Sequence, residues 1–230
     1  MKRIWLIVLA LSLLTLPLGA ESVKFGGRYS NYSTDLDIGT MTIDTGREGS
    51  IGAFVDYRTG MLVLKGEIDS DFESDARFDF DLDSQYSRNR FEFLAGYAAL
   101  PFMDIEGGFR YDEISFDGFS FTGSGSSDVD FNHQAVALGL HFHTTQTGKL
   151  GWYGLVRGYL GTIDSTDGDD VDAGGYRAET AFVIPFGDSG WEVAPGFETE
   201  RLDTDDIVDG EGVRFNTDRF FIRFAFNWGR

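Results

Sequence analysis

The sequence predicts an all-β fold: a closed antiparallel transmembrane barrel, read here with ten strands. Three features of the 230-residue chain predict it. It opens with an export segment. It then alternates apolar and polar residues with period two in ten separate stretches, and the connections between them alternate short and long. Period two is the strand repeat, which sends successive side chains to opposite faces. No later apolar run approaches the ~20 residues of a transmembrane helix, and an open sheet cannot leave its edges in lipid. A membrane-spanning version of this chain is therefore a closed barrel.

The export segment comes first. Lys2 and Arg3 precede a mostly apolar run over residues 4–16, and Pro17, Leu18, Gly19 and Ala20 lead to a cleavage point after Ala20. A basic start, a short apolar run and a small residue at the cut have the order of a secretory signal peptide. Residues 1–20 are read as that peptide, and 21–230 as one barrel domain. The chain has no cysteine, which excludes disulfides and thiolate metal sites.

The strands follow in order. The first, over 23–32, sets Val23, Phe25 and Tyr29 against Lys24, Gly26 and Arg28. The second carries Ile51, Ala53, Val55 and Tyr57, and a tight turn at Gly60 leads to Leu62, Leu64 and Ile68 opposite Lys65 and Glu67. The fourth has Phe91, Phe93, Ala95 and Tyr97 with Glu92 between them. After a turn at Pro101, the fifth sets Ile105, Phe109 and Tyr111 opposite Glu106, Arg110 and Asp112. The sixth has Val136, Leu138, Leu140 and Phe142 opposite His133, Ala135, Ala137, Gly139, His141 and His143. In the seventh, Trp152, Val156 and Leu160 oppose Tyr153, Arg157 and Tyr159. The eighth has Tyr176, Ala178, Phe182 and Ile184 opposite Arg177 and Glu179. The ninth has Trp191, Val193, Pro195 and Phe197 opposite Glu192 and Glu198. The tenth is the clearest: Phe220, Ile222, Phe224, Phe226 and Trp228 form one face, and Phe221, Arg223, Ala225 and Asn227 the other. An almost wholly aromatic face backed by an arginine-bearing one fits a wall between lipid and a polar interior. Eight strands is the alternative count, since boundaries read from one sequence shift by several residues.

Connections near 58–60, 100–103, 144–149 and 186–190 are short. Those at 34–49, 70–88, 118–130, 164–173 and 203–216 are long. Short periplasmic turns and longer external loops are the pattern of outer-membrane barrels, and it places both termini on the short-turn side. The five long connections carry 22 acids against 4 bases, so the charge imbalance of the chain sits on the predicted external side. An acidic external face repels anions and attracts cations. It also argues against nucleic-acid binding, which needs a basic footprint.

Taken together, the export segment, the alternation, the long–short connections and the aromatic final strand resemble the broad class of small bacterial outer-membrane β-barrels that includes the OmpA, OmpW, OmpX and opacity-protein barrels. That resemblance implies a bacterial outer-membrane location, outer-membrane lipid as the surrounding partner and a monomeric barrel. Phe220, Ile222, Phe224, Phe226 and Trp228 resemble the C-terminal strand signal read by the barrel-assembly machinery, although here Gly229 and Arg230 follow the last aromatic residue. No cofactor is implied.

The inward set is the nearest thing to a site: Lys24, Arg28, Lys65, Glu67, Glu92, Glu106, Arg110, Arg157, Arg177, Glu179, Glu192, Glu198 and Arg223. Mixed signs in comparable numbers predict cross-strand ion pairs rather than a selectivity ring of one sign. A barrel this narrow can be filled by side chains, so the expectation is a structural or surface-interacting protein closed by a charged network. The alternative is a narrow passive channel, with Gly26, Gly108, Ala135, Ala137, Gly139 and Gly196 leaving room for water. Of the three histidines, His141 and His143 share a face, but two imidazoles make a stable metal site only with further ligands. The acid-rich stretches 167–170 and 205–211 are candidates for weak divalent-cation binding, although neither has EF-hand spacing. A third reading is a rim hydrolase similar to the omptins, which would use an acid such as Asp130 with His133. Without a motif to specify it, the chain is read as a non-enzyme.

Overall fold

The computed structural model describes residues 22–38, 41–72, 74–77, 83–119, 127–144, 149–165, 170–205 and 212–229. Residues 1–20, read from the sequence as a signal peptide, lie outside them. The strands are β1 Ser22–Ile38, β2 Met41–Thr59, β3 Leu62–Asp71, β4 Ser74–Arg77, β5 Asp83–Leu100, β6 Met103–Phe119, β7 Ser127–His143, β8 Gly151–Ser165, β9 Val171–Pro185, β10 Trp191–Thr204 and β11 Val213–Gly229. All pairings are antiparallel. β1 pairs with β2 on one side and β11 on the other, which closes the sheet and leaves no free edge. The short β4 lies between β2 and β5 above β3 and continues its course. The wall is therefore ten-stranded.

Two faces follow from the alternation. Outward side chains form an apolar belt in which Leu160 is 75% exposed, Leu138 and Trp228 65%, and Phe182 63%. A continuous surface of this kind far exceeds what a water-soluble monomer tolerates and is matched to lipid. On β11 it runs from Phe220 to Trp228, about 20 Å of membrane at ~3.3 Å per residue and ~40° tilt. Trp152, Trp191 and Trp228 all lie at its short-turn end, the place of an interfacial aromatic girdle.

Among the described residues, the stretches expected as long connections are largely strand. β1 reaches Ile38 and β2 resumes at Met41; β6 continues to Phe119, and β11 begins at Val213. The acidic side is thus an extension of the barrel wall beyond the belt. In that extension the faces exchange character. Asp35, Asp164, Asp172, Arg214 and Asp218 are exposed. The inward residues Tyr32, Leu36, Tyr86, Ile114, Phe116, Phe131, Ile163, Leu202, Val213 and Phe215 form one buried cluster. In lipid the wall needs an apolar outside; in water it needs a polar outside and can gather an apolar core. Outside the belt, burial and then repulsion from Asp44, Asp37 and Asp218 push the Asp35 carboxyl above its ordinary range. Asp203 is held below that range: burial works against this, but hydrogen bonds from Arg201 and Arg214 prevail.

Candidate functional site: the charged interior

Beneath the apolar cluster, the bore is crossed by ion pairs. Arg177 is the hub. Its guanidinium reaches Glu67 at 3.0 Å, Glu92 at 3.2 Å, Glu179 at 2.7 Å and Glu198 at 2.8 Å. Arg28, across the barrel on β1, shares Glu67, Glu179 and Glu198 at 3.2, 3.4 and 2.8 Å. Arg223 shares Glu67 and Glu179, both at 3.2 Å. Arg157 bridges Glu92 at 2.6 Å and Glu106 at 2.9 Å, and Lys65 closes on Glu106. Tyr153 and Tyr159 donate to Glu179 and Glu92 at 2.6 and 3.0 Å. Each of these acids accepts from several donors, which is what lets buried carboxylates persist in a low-dielectric bore.

A second tier lies toward the acidic end. Arg90 joins the tiers, bonding Asp69, Glu198 at 3.2 Å and Glu200 at 3.0 Å. Glu200 also accepts from Arg88 at 2.5 Å and Arg110 at 2.7 Å, and both arginines bond Asp112 at 2.8 and 2.7 Å. Arg219 bonds Asp71 at 3.3 Å. Arg28 lies 4.1 Å over the Phe221 ring and Arg110 4.2 Å over Tyr159, within cation–π range.

Of the thirteen residues expected inside, eleven lie in these two joined tiers. Lys24 and Glu192 pair apart, at 2.7 Å, near the short-turn mouth. Asp69, Asp71, Arg88, Arg90, Glu200 and Arg219 belong to the network too and were not expected there, and Asp112, read on the inward face of the fifth strand, joins them. Their signal was the unbroken phase: Arg88, Arg90, Glu92 and Leu94 share one parity, as do Thr217, Arg219, Phe221 and Arg223.

The space beside the small inward residues is taken up by neighbouring groups. A Cβ on Gly139 would stand 2.5 Å from Arg157 Cγ, and one on Gly196 2.3 Å from Phe221 Cζ; those side chains already fill the room. At Gly26 and Gly108 a Cβ would meet a carbonyl of the next strand, so these positions serve close backbone approach. Ala135 and Ala137 pack with Leu94 and Tyr159.

Access is one-sided. The Arg177 side chain is fully buried, whereas Glu67, Arg223, His141 and His143 are 12%, 14%, 16% and 19% exposed. A cavity of about 30 Å³, room for a water or two, lies among Lys65, Glu67, His141, Arg157 and Arg223. The rim pair Asp130 and His133 is not formed. Asp130 is exposed on the outer face, while His133 is fully buried beneath the apolar cluster and bonds Asp112 at 2.8 Å. Adjacent parity put the two on opposite faces. Residues 167–169 and 206–211 of the acid-rich stretches lie outside the described residues.

The chain matches no family model and no curated protein. Solved structures are similar to it. The outer-membrane protease OmpT from Escherichia coli superposes with a TM-score of 0.56 at 10% identity, covering 93% of this chain and 99% of that one. The fold is that of the bacterial outer-membrane β-barrels. The β domain of the Bordetella autotransporter BrkA agrees, at a TM-score of 0.52 and 12% identity, covering 89% and 99%. At these identities the likeness is one of fold, shared by a protease and an autotransporter domain alike.

Proposed function

We propose that this protein is an integral outer-membrane barrel with a closed interior, serving envelope structure and surface interaction rather than solute passage. One observation carries the reading: two layers of side chains occupy the bore, the ion-paired tiers around Arg177 and the apolar cluster around Ile114, Phe116 and Ile163. An ion crossing it would have to lose its water against apolar side chains, a cost of many kcal/mol. The aromatic lipid-facing strand at the C-terminus supports delivery by the barrel-assembly machinery. A wall complete within one chain supports a monomer. The acidic, strand-built extension is the part such a protein would present to external partners.

The test is planar-bilayer conductance of the refolded protein beside a porin control. Silence is expected. Discrete channel steps from the wild-type protein would overturn the closed reading and favour the narrow channel. Peptide cleavage by the same preparation would favour a hydrolase, against the burial of His133.

A further inference from the structure

We infer a divalent metal site at the short-turn mouth of the barrel, formed by Asp104, His141 and His143. The paired strands β6 and β7 place Asp104 directly across from His141, and His143 follows two residues on along the same inward face. The donor atoms of the three residues lie within 4.8 Å of one another. His141 Nδ1 and His143 Nε2 are each 3.4 Å from Asp104 Oδ2. Bonds of ~2.0–2.1 Å at the tetrahedral angle put neighbouring ligand atoms about 3.3–3.4 Å apart, so the two nitrogen–oxygen edges already have the length a zinc ion requires.

Two further observations point to a cation here. The first is what now faces the donors. Lys65 Nζ lies 2.7 Å from His141 Nδ1, and an Arg58 Nη lies 2.7 Å from Asp104 Oδ2 and 3.3 Å from His143 Nε2. Ammonium and guanidinium groups can only donate, so a ring nitrogen accepting from them presents the lone pair that ligates metal, while toward the Asp104 carboxylate the same nitrogen donates only as an N–H. Side-chain cations stand where a metal cation would. The second is Asp104 Oδ1, buried without a hydrogen-bond partner, a carboxylate oxygen with coordinating capacity left over. Arg58 is the displaceable competitor, with a side chain 30% exposed beside the β2–β3 turn. His141 and His143 are the partly exposed histidines, which gives an entry path. Glu106 Oε1, 3.7 Å from His141 Nδ1, is a candidate fourth donor. Two imidazoles with one or two carboxylates suit Zn²⁺ and its late first-row neighbours and disfavour Ca²⁺ and Mg²⁺, which prefer all-oxygen sets.

The protein, refolded in detergent, is titrated with Zn²⁺ by calorimetry and with Co²⁺ by visible absorption. One Zn²⁺ per chain is expected, retained in excess Ca²⁺, with the Co²⁺ spectrum of a four-coordinate site. Asp104→Asn and His141→Gln should each weaken binding at least ~10-fold. Arg58→Gln should tighten it, because the guanidinium no longer competes for Asp104. Folding of each variant is checked by its compact form on unheated gels. Should His141→Gln fail to fold, His143→Gln and Arg58→Gln carry the test. Wild-type protein that binds no Zn²⁺ would overturn the site. So would binding displaced by Ca²⁺ or indifferent to the histidine variants, which would put the ion on the acidic outer wall. An Arg58→Gln protein with unchanged or weaker affinity would remove the competition on which the assignment rests.

Discussion

Arg177→Ala is the sharpest perturbation of the interior. The guanidinium lies within 3.2 Å of four glutamates, Glu67, Glu92, Glu179 and Glu198, and has no solvent exposure. Removing it leaves those acids to Arg28, Arg90, Arg157 and Arg223, which already serve other partners. Deleting one member of a buried pair costs about 3–5 kcal/mol, because the charge left behind stays uncompensated. For a domain of this length that is roughly 6–20 °C of melting temperature. The assay is thermal unfolding of the refolded barrel, followed by circular dichroism and by loss of the compact gel form. Glu198→Gln in the Arg177→Ala background should recover part of the loss, since it removes one stranded charge; the pair should therefore be non-additive. If the bore were water-filled, solvent would screen the stranded acids and the single change would cost less than about 1 kcal/mol. A melting temperature within about 2 °C of wild type, with no coupling to Glu198, would refute the closed network.

Other outcomes follow from the same geometry. Phe116→Ala should destabilise the barrel by about 3–5 kcal/mol in the same melting assay, because Phe116 is buried in the apolar cluster; a solvated external loop would lose almost nothing. Phe224→Arg should cost about 2–4 kcal/mol in the middle of the belt, and Trp228→Arg at its edge about 0–1 kcal/mol. The yield of folded barrel in vesicles reads this difference, and equal yields would misplace the belt. Intact-mass analysis of the exported protein should give a chain beginning at Glu21; a retained residue 1 would overturn the signal-peptide reading.

The sequence by itself determined which face each membrane strand turns to lipid. Alternation is local: in Phe220-Phe221-Ile222-Arg223-Phe224 the period of two assigns every side chain before any partner is known. The same parity carried the inward positions of Arg28, Glu67, Arg157, Arg177 and Glu198. It also held the clue to the extension. On β11 the apolar parity moves from Val213 and Phe215 to Phe220 and Ile222. Read as loop composition, that switch looks like noise; read as strand, it marks where the surroundings change from water to lipid.

Only the tertiary structure decided who meets whom across the bore. Arg28 and Glu179 are 151 positions apart, and Arg88 and Glu200 are 112 apart. No local rule links them, because their meeting depends on closure of the sheet and the stagger of its strands. Closure also brought Asp104 beside His141 and supplied the third ligand that two histidines on one strand lack. It buried His133 inside the wall, opposite Ile163 on the neighbouring strand. Facing is a property of one strand, whereas pairing, burial and access belong to the closed barrel.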